Sequence, residues 1–235
     1  MNNNPIFSLL GNPNCGKTAV FNLLTGLNQK VSNYPGITVE KKLASVKIDD
    51  NLISFEDYPG AYSSHPQSLD EKIVHDTLFS WMEGSAPKPN GIIYVADSTN
   101  LRRNLYFCTQ LMNLDIPIIL LLNMSDLTDP NTVVDLEKLK KNLNLYDIIP
   151  FSASKTIGLN TLKRTIINLL TDEFQLNHNT LDLSKENFKL LSPIINTLNE
   201  NFSLSKSCSE SLSLAILSGD MYYDNLNCSK SIKNS

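Results

Sequence analysis

The chain has 235 residues, 41% of them hydrophobic, and a net charge of −4 at pH 7. This length suffices for one α/β core with an appendage, and the acidic balance argues against broad affinity for nucleic acids. No uninterrupted apolar run is longer than Ile118–Leu122, far short of the ~20 residues of a spanning helix, and the polar start Met1–Pro5 does not resemble a signal peptide. Without metal-ligand spacing, the cysteines favour free thiols in a reducing, cytoplasmic setting. They are Cys15, Cys108, Cys208 and Cys228.

A phosphate-binding loop follows the first predicted strand, Ile6–Leu10. Residues Gly11–Thr18 match the G-x-x-x-x-G-K-[ST] pattern, and Ala19–Leu24 is predicted to begin a helix. In this context backbone N–H groups and a helix N-terminus face an anion. We expect Lys17 to reach the β- and γ-phosphates and the Thr18 hydroxyl to bind Mg²⁺. The predicted nucleotide contacts here are Gly11, Asn12, Pro13, Asn14, Cys15, Gly16, Lys17, Thr18 and Ala19.

The polar segment Tyr34–Glu40 is predicted to be the first of two loops that sense the γ-phosphate. It precedes the predicted strand Leu43–Ile48. Within it, Thr38 is the residue we assign to Mg²⁺ and γ-phosphate contact. Ser32 and Ser45 fit this role less well, because the first lies too early in the loop and the second lies in the middle of a strand.

The second sensing loop follows the predicted strand Leu52–Phe55. Residues Asp57–Gly60 read D-Y-P-G, a D-x-x-G motif. We expect Asp57 to hold Mg²⁺ through a water molecule and the Gly60 N–H to sense the γ-phosphate. Downstream, Ser68–Glu71 forms a predicted capping box that opens a helix extending through Trp81.

Two motifs further along indicate which base is bound. The apolar run Ile116–Leu122 is followed by Asn123-Met124-Ser125-Asp126, at the carboxyl end of a buried strand, where open α/β sheets bind ligands. The Asp126 carboxylate suits guanine, since it can accept from both the ring N1–H and the exocyclic amino group. Asn123 is expected to tie this loop to the phosphate loop. After a second strand, Ile148–Phe151, backbone N–H groups are predicted to face guanine O6. They belong to Ser152, Ala153, Ser154 and Lys155.

Helical periodicity predicts the end of the nucleotide-binding domain and a small second domain. Apolar residues from Leu159 to Leu170 recur at helical spacing, and we place the domain boundaries at 1–172 and 173–235. Beyond a polar connection, three helices with an apolar stripe of core residues are predicted. Gly219 is suited to end the last of them. The tail Asn225–Ser235 is expected to fray. The three helices are Lys185–Leu191, Pro193–Phe202 and Glu210–Leu217.

Together these motifs resemble the cytosolic N-terminal region of the ferrous-iron transport protein B family. Ala96–Tyr106 is similar to a stretch typical of that family. Met124 is also the usual residue of the family at a position where most GTPases carry lysine. The likeness covers about Ile6 to Leu170, and Glu210–Asp220 is similar to part of the family's helical subdomain, which resembles a guanine-nucleotide-dissociation inhibitor. It implies a Ras-like P-loop GTPase fold: a mixed, mostly parallel sheet flanked by helices and followed by an all-helical subdomain.

The resemblance also implies the wider setting of the chain. In that family the GTPase region precedes a membrane-embedded part that carries Fe²⁺, so a full-length relative would act at the cytosolic face of the inner membrane. Nucleic acid is not an expected partner. The sequence leaves the oligomeric state open, a homo-oligomer being one option.

One residue expected for catalysis is missing. Ras-like enzymes orient the attacking water with a glutamine directly after the D-x-x-G, where this chain has Ala61. The resemblance implies a substitute: K⁺ bound by the Asn14 side chain and by backbone carbonyls around Ser32 and Tyr34. The alternative is that Asn14 binds no cation and only forms hydrogen bonds within its loop. The residues predicted to take part in catalysis are Lys17, Asn14, Thr38 and Gly60.

The sequence therefore predicts a Mg²⁺-dependent GTPase with a low intrinsic rate. Two alternatives remain open. An Era-like factor of ribosome or RNA metabolism is disfavoured by the acidic balance and by Ala96–Tyr106. A guanine-nucleotide sensor without turnover is compatible with Ala61, although Thr38 then has little reason to be present.

Overall fold

The computed structural model describes residues 4–26, 30–34, 40–64, 68–128, 134–172, 174, 185–202, 204 and 206–217. The strands are β1 (Ile6–Gly11), β2 (Lys30–Asn33), β3 (Glu40–Ile48), β4 (Asn51–Asp57), β5 (Gly91–Asp97), β6 (Ile118–Asn123) and β7 (Asp147–Pro150). The α-helices are α1 (Lys17–Thr25), α2 (Leu69–Glu83), α3 (Leu101–Leu111), α4 (Leu136–Asn142), α5 (Leu159–Thr171), α6 (Lys185–Asn201) and α7 (Lys206–Leu217). Within these residues, no helix is both long enough and apolar enough to cross a bilayer.

The seven strands form one mixed sheet in the order β2-β3-β4-β1-β5-β6-β7. Strands β4, β1, β5, β6 and β7 run parallel, whereas β2 and β3 are antiparallel to their neighbours. The predicted mixed, mostly parallel sheet is confirmed. Because parallel strands end at the same edge, the loops after β1, β4, β5, β6 and β7 meet there.

Helices cover both faces of the sheet, which explains why the central strands are apolar throughout. Strand β6 is buried at every position, and alternate residues of β1 supply opposite cores. Phe7 and Leu9 pack with α1 and α5, whereas Leu10 packs with α2 and α3. The sheet is thus a rigid, two-sided platform for the loops at its edge.

Helix α2 begins where the capping box predicts. The Ser68 hydroxyl accepts a hydrogen bond from the Glu71 N–H at 3.2 Å. The helix runs two residues beyond the predicted Trp81, to Glu83, and Gly84 ends it in the left-handed region at φ 78°.

The predicted break between helices Lys185–Leu191 and Pro193–Phe202 is wrong, because α6 continues through Pro193. Proline cannot donate to the carbonyl four residues earlier, that of Lys189. The Ser192 hydroxyl donates to this carbonyl instead, at 3.0 Å, and so supplies the missing bond. Helix α7 also starts earlier than predicted, at Lys206, while Gly219 and Asn225–Ser235 lie outside the described residues.

The two C-terminal helices pack against each other and against α2. Phe79 of α2 forms a buried cluster with side chains of both helices, so the predicted apolar stripe of α6 is core. The buried members from α6 and α7 are Ile194, Leu198, Leu212 and Ile216. This cluster connects the helical pair to α2 of the sheet domain.

Truncating Leu212 should weaken this packing more than truncating its neighbour Leu214. Leu212 is 4% exposed and Leu214 is 37% exposed on the same helix. We expect Leu212→Ala to lower the free energy of unfolding by about 2–5 kcal/mol and Leu214→Ala by less than about 1 kcal/mol. Urea unfolding followed by circular dichroism measures both, and equal losses would contradict this packing of α7.

Candidate nucleotide-binding site

The predicted phosphate loop joins β1 to α1, and its glycines permit contacts that other residues would block. A Cβ on Gly11 would lie 2.3 Å from the Val95 carbonyl oxygen, and one on Gly16 would lie 2.2 Å from Nδ2 of Asn123. Gly16 also caps α1 at φ 85°, in the left-handed region. The loop therefore lies tightly against the ends of β5 and β6, with the N-terminus of α1 at its far side.

Asn123, at the end of β6, holds three segments together. Its Nδ2 donates to the Cys15 carbonyl at 2.9 Å, and its Oδ1 accepts from the Ala153 N–H at 3.1 Å. The Ser98 hydroxyl donates to its backbone carbonyl. The side chain is 2% exposed, so these bonds are shielded from water. The predicted tie between the phosphate loop and the base loop is present, and it extends to the loop after β7.

Asp126, the predicted guanine acceptor, lies just after β6 and carries a charge that its neighbours stabilise. It follows Met124, which takes the left-handed conformation at φ 61° and turns the chain after β6. Hydrogen bonding from the Ser152 side chain, supported by Lys155, holds the pKa of Asp126 below its ordinary value. Lys155 Nζ lies 3.4 Å from Asp126 Oδ2. The carboxylate is therefore ionised at neutral pH.

The loop after β7 uses several of its N–H groups internally. Ser152 N–H donates to the Ile157 carbonyl, and Lys155 N–H donates to the Ser152 hydroxyl. The Ala153 N–H already donates to Asn123, so a contact with guanine O6 through it would be shared between two acceptors. No described hydrogen bond uses the Ser154 N–H.

Lys17 and Asp57 form a buried ion pair between the phosphate loop and the end of β4. Lys17 Nζ lies 2.6 Å from Asp57 Oδ1, and the two residues are 8% and 6% exposed. The residues predicted for phosphate and for Mg²⁺ therefore adjoin one another. Thr18 follows in the first turn of α1 and is exposed. A hydroxyl and a carboxylate beside a phosphate loop fit Mg²⁺, which is usually held by few protein oxygens together with substrate phosphates.

The D-x-x-G segment rests directly on the phosphate loop. The Ala61 N–H donates to the Gly11 carbonyl at 3.1 Å, and a Cβ on Gly60 would meet the Pro13 Cα at 2.8 Å. Ala61 is fully buried, so its methyl group faces protein. Gly60 is therefore required by space, and the Ala61 methyl group is enclosed by protein.

The residue after Ala61 contacts α3. The guanidinium carbon of Arg103 lies 4.2 Å from the centre of the Tyr62 ring, a cation–π arrangement, and the Tyr62 N–H donates to the Glu71 carboxylate at 3.3 Å. Arg103 is thus a partner of the sensing loop.

The residues of the predicted K⁺ site lie in different surroundings. Asn14 is exposed and left-handed at φ 63°. Ser32 lies in β2 and pairs with Lys41 of β3, and the ring of Tyr34 packs against that of Tyr58 with centroids 6.4 Å apart. Thr38 lies outside the described residues.

The Cys15 thiol is a packing group. It is 1% exposed, and burial raises the pKa of the thiol to about 11. Thiolate, the reactive form, is therefore scarce at neutral pH.

Tyr94 is a site residue that the sequence analysis missed. Its hydroxyl lies 2.9 Å from Asn12 Oδ1 and donates to the Asn104 carbonyl at 2.6 Å. A hydroxyl has one hydrogen, and Asn12 Nδ2 is buried without a partner among the described atoms. Turning the Asn12 amide over lets Nδ2 donate to the Tyr94 oxygen while the Tyr94 hydrogen goes to the Asn104 carbonyl, and Asn12 Oδ1 then takes the position without a described partner. A tyrosine within the otherwise aliphatic β5 was the available signal.

Comparisons with known proteins agree with this geometry. The family model for ferrous iron transport protein B matches residues 6–166, which include the predicted phosphate, sensing and base motifs. The chain belongs to this family. The Fe(2+) transporter FeoB of Legionella pneumophila (strain Paris) is 38% identical over 165 residues, covering 68% of this chain and 21% of that protein.

Solved structures extend the family likeness to the C-terminal helices. The cytosolic domain of L. pneumophila FeoB aligns with a TM-score of 0.79 at 32% identity, covering 97% of this chain and 95% of that one. A mutant of S. thermophilus NFeoB bound to mGDP aligns with a TM-score of 0.80 at 30% identity, covering 99% of this chain and 87% of that one. The chain spans about a fifth of the length of the curated relative.

Removing the Tyr94 hydroxyl should weaken nucleotide binding. Tyr94→Phe leaves the Asn12 amide without its partner, which costs about 1 kcal/mol and corresponds to roughly five-fold weaker affinity for a fluorescent GDP analogue. Tyr146→Phe is the matched control, because that hydroxyl donates to Asp172 at the end of α5. Equal affinities for Tyr94→Phe and wild type would show that this contact does not position the loop.

Proposed function

We propose that this chain is the guanine-nucleotide switch of a ferrous-iron transporter, binding GTP and hydrolysing it slowly to GDP and phosphate. The observation that carries the proposal is the Asn123 clamp, which holds the phosphate loop beside the ionised Asp126. Family membership and the nucleotide-bound relative support it. As in the longer relatives, the membrane-embedded part would carry Fe²⁺, and this region would lie at its cytosolic face.

Within this proposal, the phosphate loop receives the phosphates and Asp126 selects the base. Lys17 leaves Asp57 for the β- and γ-phosphates, so that one buried charge pair is exchanged for another. Thr18, Asp57 and Thr38 would hold Mg²⁺, which when bound offsets phosphate charge. Gly60 would present its N–H to the γ-phosphate. We also propose the division into residues 1–172 and 173–235.

The low intrinsic rate follows from Ala61, which has no group to orient water. We propose that K⁺, bound by Asn14 with carbonyls of Ser32 and Tyr34, supplies positive charge beside the phosphates. The left-handed, exposed Asn14 supports this, because its side chain is not consumed by packing.

Changing the base acceptor should change the preferred nucleotide. In Asp126→Asn the side chain gains an N–H donor, which suits the C2 carbonyl of xanthine and opposes the amino group of guanine. We expect about 100-fold weaker GDP binding and a gain in XDP binding, measured by competition against a fluorescent nucleotide.

The matched control for the base specificity is Asp135→Asn. Asp135 caps α4 by accepting from the Lys138 N–H at 2.9 Å, a role that asparagine performs equally well. Unchanged GDP affinity in Asp126→Asn would overturn the assignment of Asp126 to the base.

GTP hydrolysis in matched KCl and NaCl buffers tests the catalytic proposal. We expect K⁺ to raise the rate at least about ten-fold, and Asn14→Ala to lose this stimulation while still binding GDP. Asn142→Ala, an exposed asparagine of α4, is the control. Equal, negligible rates in both salts with tight GTP binding would instead favour a sensor without turnover.

A further inference from the structure

Helix α3 contacts the segment that follows the D-x-x-G at two points. The Ser64 N–H donates to the Gln110 side-chain oxygen at 2.8 Å. The guanidinium carbon of Arg103 lies 4.2 Å from the centre of the Tyr62 ring. Arg103 and Gln110 are seven positions apart, about two helical turns, so they lie on the same face of α3. We call these two contacts together the α3 restraint.

Helix α3 is a fixed support for both contacts. Phe107, Cys108 and Leu111 are fully buried in the core between α3 and the sheet. The Phe107 ring meets the Tyr94 ring of β5 edge-on, with centroids 5.9 Å apart. Because the helix is anchored in this core, its contacts limit the movement of the segment rather than that of the helix.

The restrained segment begins directly after Gly60, the residue predicted to sense the γ-phosphate. On one side, the Ala61 N–H is bound to the Gly11 carbonyl of the phosphate loop. Further along, Tyr62 and Ser64 are held by α3. No hydrogen bond among the described residues uses the Gly60 N–H. This N–H group is therefore held beside the phosphate loop and is available to a ligand.

A donor that is already held in place gives tighter binding, because the ligand does not have to restrict its backbone. GDP has no γ-phosphate, so this gain applies to GTP alone. We propose that Arg103 and Gln110 are positioning residues that favour the binding of GTP over GDP, because they fix the segment next to the Gly60 N–H. The inference rests on the proposed function, in which Gly60 contacts the γ-phosphate.

Substitutions at Gln110 separate the hydrogen bond from the packing. Gln110→Met keeps the length of the side chain but removes the acceptor for Ser64, whereas Gln110→Glu keeps an acceptor. The affinities for GDP and for a non-hydrolysable GTP analogue are measured in the full chain with Mg²⁺, by competition against a fluorescent GDP analogue. We expect Gln110→Met to lower the affinity for the GTP analogue about three- to five-fold and to leave the affinity for GDP unchanged. Gln110→Glu should retain the wild-type ratio of the two affinities.

Arg103→Gln tests the second contact in the same assay. It removes the charge over the Tyr62 ring, so we expect the affinity for the GTP analogue to fall about two- to five-fold, with the affinity for GDP unchanged. The control is Arg102→Gln, which removes the same charge from the neighbouring exposed position. This variant should leave both affinities unchanged.

Amide hydrogen exchange in the nucleotide-free chain tests the α3 restraint without any nucleotide. The Ser64 N–H loses its partner in Gln110→Met, so we expect it to exchange at least about three-fold faster than in the wild type. The N–H of Leu121 in the buried strand β6 should exchange at the wild-type rate.

Unchanged exchange of the Ser64 N–H in Gln110→Met would overturn the α3 restraint. An unchanged ratio of the two affinities, or an equal loss of both, would overturn the positioning role of Gln110. A wild-type chain that binds no GDP would instead overturn the proposed function, and the Ser64 exchange rate would still decide whether α3 restrains the segment.

Discussion

The site depends on the buried side chain of Asn123. One amide group donates to the carbonyl of Cys15 and accepts from the N–H of Ala153, and so joins loops that are far apart in the sequence. Both bonds are shielded from water, where leaving such a group unpaired costs about 1–3 kcal/mol. Gly16 makes the approach possible, since a Cβ there would occupy the position of Nδ2. Without this contact the phosphate loop would lose its hydrogen bond to the end of β6, where the base loop begins.

Charge compensation organises the phosphate side of the site. Lys17 and Asp57 are both nearly buried, and a buried charge without a partner is strongly destabilising. Their pairing satisfies both in this conformation and places the lysine beside the residue assigned to the metal. Under the proposed function, phosphate binding would amount to a change of partner for Lys17. The adjacent D-x-x-G is held to the loop by the Ala61–Gly11 bond, so it follows the phosphate loop closely.

Helix α2 connects the D-x-x-G segment with the C-terminal helices. Its Glu71 contacts the loop after Gly60, its Trp81 packs against Tyr58, and its Phe79 enters the cluster of the C-terminal helices. These contacts lie on different sides of one rigid element. A displacement of the sensing loop therefore has a direct mechanical route to the helical pair, in agreement with a switch that reports to a second domain.

The sequence by itself determined the phosphate loop, the D-x-x-G and the Asn123–Asp126 motif, because each depends on a short run of residues, whereas the mixed sheet was implied by the family resemblance. The capping box at Ser68 is predictable for the same reason. Only the tertiary structure decided the pairing of Lys17 with Asp57, the contact between Tyr94 and Asn12, and the stacking of Arg103 on Tyr62. These join residues about 40 or more positions apart, which no local pattern encodes. Pro193 shows the same limit within one helix, since the neighbouring Ser192 hydroxyl and the packing of α6 outweigh the ordinary preference of proline to end a helix.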